Sequence, residues 1–125
     1  MAETVARRAE DGRNGELAAL DDLATTAKEN SRDEGLLARR ITQLRAGRAK
    51  GRSWHDLLAG ENRPGTLELA ARILRRLTEA SGALRRTLAH GLRAEGGTIS
   101  AIATAFGVSH QRVSALLRRD RRPTV

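Results

Sequence analysis

The segment from Ile99 to Arg118 constrains the fold more than any other part of this 125-residue chain. Counting Ile99 as position one, Ala103 falls fifth, where only a small side chain lets two short helices cross closely. Gly107 falls ninth, where the chain leaves the first helix and φ must turn positive, which glycine does without a Cβ penalty. Ile102, Phe106, Val108, Val113 and Leu116 occupy the remaining positions that such a pair would bury. The spacing predicts two helices joined by a tight turn, with Thr98 capping the first.

The rest of the chain also has helical grammar. Residues 1–13 are polar and charged without sustained periodicity, and are expected to be frayed or disordered. From Gly15 to Glu29, Leu17, Leu20, Leu23, Ala24 and Ala27 recur at helical spacing. Ser31-Arg32-Asp33-Glu34 has the form of a capping box and predicts a second helix carrying Leu36, Leu37, Ile41 and Leu44. Ser53 opens a short helix with Leu57 and Leu58, in which Trp54 is expected as a core anchor. Gly60 to Gly65, containing Pro64, is a loop, and Thr66 caps a long stretch. There Leu67, Ala70, Leu74, Leu77, Ser81, Leu84 and Leu88 step by three and four. Ser81-Gly82 predicts a break between helices of about 66–80 and 82–95, and Gly96-Gly97 ends the run.

No segment alternates like a strand. The expectation is an all-α helical bundle of six or seven helices. Its region 14–80 serves oligomerisation or partner binding, followed by a three-helix unit at 82–119 and a basic tail at 120–125. One internal echo bears on this division. Arg48-Ala49, Gly51, Ser53-Trp54 and Leu57 align with Arg93-Ala94, Gly96, Thr98-Ile99 and Ile102 at a constant offset. Downstream the match fails, because Pro64 falls on Ser109 and Glu68 falls on Val113. That failure favours shared capping grammar over a degenerate second unit at 45–68, and leaves the second possibility open.

Charge narrows the classes of partner. The chain holds 23 Lys plus Arg against 15 Asp plus Glu, a formal net charge of +8. Residues 1–34 carry nine acids and five bases, whereas residues 35–125 carry six and eighteen. The basic part would draw in a polyanion that the acidic part would repel. Lys28 and Lys50 are the only lysines, and the arginine fork suits phosphate and the guanine edge. A GC-rich genome would favour arginine equally. The absence of cysteine excludes disulfides and thiolate metal sites, and His55, His90 and His110 form no ligand pair at helical spacing. No metal and no cofactor is implied. With Trp54 and Phe106 as the only aromatics, base stacking on single strands is poorly served, and duplex DNA is the better polyanion. No apolar run approaches the roughly 18 residues of a membrane span, and no signal peptide is visible, so a cytoplasmic, nucleoid location is expected.

The stretch Thr98-Ile-Ser-Ala-Ile-Ala-Thr-Ala-Phe-Gly-Val-Ser-His-Gln-Arg-Val-Ser-Ala-Leu-Leu-Arg resembles the helix-turn-helix of region four of bacterial sigma factors. It is equally similar to the DNA-reading modules of small actinobacterial regulators and of site-specific resolvases. The resemblance implies roles for individual residues. His110, Gln111 and Arg112 would face base edges from the first turn of the recognition helix, Gln111 towards adenine and arginine towards guanine. Ser114 and Ala115 would allow close approach one turn on, with Arg118 at the far end of that face. Ser109 and Thr98 would meet phosphates as well as cap, and Arg119, Arg121 and Arg122 would serve the backbone or a minor groove. The clusters Arg72, Arg75, Arg76 and Arg85, Arg86 are expected as a solvated helix face.

Resolvases attach this module to a large catalytic domain, which the 80 upstream residues are too few to form. The aromatic-rich promoter-melting region of sigma factors is also missing. The chain is therefore not expected to be an enzyme. The expectation is a sequence-specific regulator on double-stranded DNA, dimeric because one recognition helix makes few base contacts. Alternatives are a nucleoid-associated architectural protein of low specificity, and an adaptor that docks on RNA polymerase or another regulator through its N-terminal helices.

Overall fold

A computed structural model describes residues 2–119, and the fold is all-α, with no strand among them. Five helices follow in order: α1 (Ala2–Ala49), α2 (Trp54–Ala59), α3 (Thr66–Ala94), α4 (Ile99–Phe106) and α5 (His110–Arg119). The count is below the expected six or seven because two expected breaks are absent. α1 runs through Ser31, and α3 runs through Ser81-Gly82. The first residues, expected to be frayed or disordered, are part of α1 from Ala2 onward. Their alanines favour helix, and Glu3 with Arg7 and Arg7 with Asp11 sit at the i, i+4 spacing that supports an exposed helix. No helix among the described residues is long and apolar enough to cross a membrane.

Packing divides the chain into two units, one of residues up to Leu23 with those from Ala80 onward, the other Ala24–Glu79. This division differs from consecutive segments at 14–80 and 82–119, because the start of α1 belongs with the C-terminal part.

In the unit Ala24–Glu79, α1 and α3 pass in opposite directions and are tied by polar groups. Asn30 is buried and its Nδ2 donates to the Ile73 carbonyl at 3.0 Å. Asp33 Oδ2 accepts from Arg76 Nη1 at 3.2 Å and lies 3.4 Å from Arg72 Nη2. Arg72 and Arg76 are thus an ion-paired part of the helix contact and not a solvated face, while Arg75 is exposed. These ties explain why Ser31 does not start a helix. Its neighbours Asn30 and Asp33 engage α3 only if the turn between them stays helical, and that outweighs a cap of about 1 kcal/mol. The inward positions of α1 step by three and four through Glu16, Ala19, Leu23, Thr26, Asn30, Asp33, Leu37, Arg40, Leu44 and Gly47. Leu17, Leu20 and Ile41, which recur at helical spacing with them, are about half exposed.

α1 ends at Gly51, whose φ of +86° turns the chain back. Ser53 Oγ then accepts from the Asp56 N–H at 3.1 Å and starts α2. Leu57 seats against Gly47, where a Cβ would overlap Leu57 Cδ2. Trp54 is not a core anchor: it is half exposed, with the Arg48 guanidinium 5.2 Å above its ring.

The start of α3 is capped by Glu61 and not by the Thr66 hydroxyl. The Glu61 carboxylate accepts from the Thr66 N–H at 2.7 Å and from Thr66 Oγ1 at 2.5 Å. Arg40 closes the loop by donating to the carbonyls of Asn62 and Pro64 at 2.6 and 2.7 Å. The Thr66 hydroxyl and N–H, with smaller help from Arg40, hold the Glu61 carboxyl below its ordinary value of 4.5. Ionised Glu61 therefore stabilises the fold above that value, and the contribution is lost as pH falls through the depressed one. Glu61→Gln is expected to cost about 1 kcal/mol at pH 7. Urea unfolding at pH 7 and pH 3 checks this: the difference from the parent should shrink at the acid pH.

In the other unit, α1 comes close to the second half of α3. Ala19 is buried, and a Cβ on Gly91 would lie 2.6 Å from Glu16 Oε1. α3 ends at Gly96, φ +92°, and α4 and α5 fold back on its last turns.

Candidate nucleic-acid interface

Three local devices shape the segment from Thr98 to Arg119. Thr98 Oγ1 accepts from the Ala101 N–H at 3.0 Å and starts α4. Gly107, at φ +66°, ends it, with the Val108 N–H returning to the Ala103 carbonyl at 3.0 Å. Paired with the Gly107 N–H to the Thr104 carbonyl at 3.3 Å, this is a Schellman ending. Ser109 then caps α5, its Oγ accepting from the Arg112 N–H at 3.2 Å. Only three residues separate the two helices.

Beneath them lies one apolar core. Ala89 from α3, Ile102 and Ala103 from α4, and Val113 from α5 are buried, three of them at 1% exposure or less. Leu92, Ile99, Phe106, Val108, Leu116 and Leu117 pack around them. Two alanines, Ala89 and Ala103, belong to different helices, which is what lets those helices approach closely. Ala89, Leu92 and Leu117 also belong to this core; Leu117 lies four residues after Val113 and Leu92 three after Ala89, each pair on one face of its helix.

The core fixes the direction in which each α5 side chain points. At about 100° per residue, Gln111, Ala115 and Arg118 fall opposite Val113 and form the outward stripe. All three are exposed. Arg112 lies on one shoulder, exposed, and Ser114 on the other, half-buried. His110 is exposed at the first turn but nearer the core side. The expected base-facing residues are therefore not equivalent: the helix groups Gln111, Ala115 and Arg118, and sets His110 and Ser114 to one side. Thr98 and Ser109 are exposed caps at the starts of α4 and α5. Arg119 ends α5, whereas its side chain, Arg121 and Arg122 lie outside the described residues.

Electrostatically the segment is one-signed. From Gly96 to Arg119 there is no Asp or Glu, and there are three arginines. Arg93 is turned to a structural use, its Nη1 donating to the Gly97 carbonyl at 3.2 Å. No group of three or more His, Asp or Glu side chains that would hold a metal ion occurs among the described residues. No protein-family model, no curated protein and no solved structure matches the chain.

Proposed function

We propose that α4, α5 and the second half of α3 form a helix-turn-helix that binds duplex DNA, and that the chain is a sequence-specific transcriptional regulator acting as a dimer. The observation that carries this reading is the outward stripe of α5. Gln111, Ala115 and Arg118 stand exposed on a helix whose opposite side is locked by Val113, in a segment without a single acid. A major groove admits one α-helix, and its base edges offer a bidentate site to glutamine and to arginine. Arg112 and the helix N-termini of α4 and α5 flank the stripe where phosphates would run. A three-contact stripe gives limited discrimination, so two copies on an inverted repeat are needed for useful specificity.

Selection of bound duplexes from a random pool, followed by competition with unrelated duplex, tests the reading. A regulator yields a recurring inverted repeat and a preference of at least ~10³ for it. Even coverage of the pool overturns the regulator and leaves an architectural role; no duplex binding overturns both. A dimer that neutralises about six phosphates is also expected to lose affinity by about 10³ between ~50 and ~200 mM salt.

A further inference from the structure

The backbone grammar that ends in α5 occurs twice in this chain. Gly51 and Gly96 end α1 and α3 at φ +86° and +92°. The Gly51 N–H meets the Arg48 carbonyl at 2.9 Å, and the Gly96 N–H meets the Arg93 carbonyl at 3.0 Å. The next N–H, of Arg52 or Gly97, returns to Gly47 or Leu92. Arg48 and Arg93 each reach forward to the carbonyl of Arg52 or Gly97, at 3.1 and 3.2 Å. Ser53 and Thr98 then cap the following helix, and Leu57 and Ile102, four residues on, are buried.

Beyond this point the helices and connections differ in length, six and six residues against eight and three, so the start of the next helix is displaced by one residue. The carbonyl that accepts the first bond of the next helix belongs to Gly65 in one case and Ser109 in the other, with the N–H of Leu69 and of Val113 donating. Leu69 and Val113 are both at 0% exposure. With that register, the positions on α3 that match Gln111, Ala115 and Arg118 are Leu67, Ala71 and Leu74. Leu67 and Leu74 are 73% and 67% exposed. Glu68 stands where Arg112 does, and the carboxylate of Glu61 already occupies the helix N-terminus at Thr66. Glu68 in turn pairs with Arg63 at 3.0 Å, and Arg40 is spent on the loop carbonyls, so neither base near this end is left for a phosphate backbone.

We infer that this stripe of α3 is where a second copy of the chain docks, the two α3 helices antiparallel. The inference rests on the dimer in the reading above and assigns its surface. Leu67, Ala70, Ala71 and Leu74 read the same in either direction, so a two-fold axis between positions 70 and 71 sets leucine against leucine and alanine against alanine. The paired alanines let the helices cross closely, and each Leu67 falls against Leu74 of the other copy. Charge agrees with this register. Glu68 and Arg75 are exposed on the same flank of the stripe; Glu68 also meets Arg63 of its own chain at 3.0 Å, an exposed pair that leaves the carboxylate open to a second base. Antiparallel pairing about that axis leaves Glu68 only about 3 Å, along the helix, from Arg75 of the other copy. The stripe is short, so self-association with a Kd on the order of tens of micromolar is expected.

Sedimentation of the full chain from about 1 to 300 μM, without DNA, tests this. The parent should pass from monomer to dimer across the range, and Leu67→Glu with Leu74→Glu should weaken association at least 100-fold. Both sites are exposed, so the helix content by circular dichroism should be unchanged. A parent that stays monomeric, or a variant that dimerises as the parent does, overturns the proposal. Charge exchange supplies a second readout. Glu68→Arg and Arg75→Glu should each weaken the dimer, and the two together should restore it; failure to restore overturns the antiparallel register. Because no DNA is present, loss of the DNA-binding reading would leave these results standing, and the reverse.

Discussion

Replacing Ala103 by leucine is expected to lower the melting temperature by on the order of 10 °C, whereas the same change at Ala105 should leave it nearly unaltered. Ala103 is 4% exposed and shares its core with Ala89, Ile102 and Val113. Three added carbons at that crossing force the helices apart or the leucine into a strained rotamer, which costs about 1–3 kcal/mol. Domains of this size are stable by only about 5–15 kcal/mol, so the change removes a large share. Ala105 lies on the same short helix but is exposed, so its leucine meets solvent. Calorimetry of the two variants beside the parent decides the matter. Equal melting temperatures would mean that α4 is not packed through Ala103.

The second large effect concerns recognition. Gln111→Ala is expected to weaken binding to the selected site by about 10–100-fold, with little change for unrelated duplex, because a bidentate base contact carries about 1–3 kcal/mol of discrimination. Arg118→Ala separates two uses of the stripe. If Arg118 reads guanine, specificity relaxes at one base pair; if it meets phosphate, affinity falls on all sequences and the salt slope drops by about one per bound copy. Both side chains are exposed, so the melting temperature should hold. Titration of each variant against the selected and unrelated duplexes, at two salt concentrations, reads these outcomes. A Gln111→Ala protein with unchanged preference would move base reading away from the outward stripe.

The C-terminal segment was legible from its residues because its devices are local. A threonine or serine cap acts over three residues, and a left-handed glycine acts within one turn, so Thr98, Gly107 and Ser109 announce their own geometry. Ile102, Ala103 and Val113 follow from the two helices so placed. The same grammar misled at Ser31, where a good capping box lies inside a continuous helix. It also misled at Ser81-Gly82, where α3 continues without a break. In the loop before α3, the cap came from Glu61, five residues ahead of the threonine expected to provide it.

Sequence alone determined the helical class, the start and stop of α4 and α5, and an acid-free surface on α5, because each depends on bonds or charges within a few residues. Which face of the long helices turns inward was decided only by tertiary structure. Leu67 and Leu74 belong to the run that steps by three and four, yet Leu69 and Ile73 turn inward and leave those leucines exposed. On α1 the inward stripe is partly the buried Asn30 and the half-buried Asp33 and Arg40, and α3 and its loop supply partners for Asn30 Nδ2, the Asp33 carboxylate and the Arg40 guanidinium. A side chain's neighbours within its own helix cannot disclose those partners, which come from more than twenty residues away in sequence.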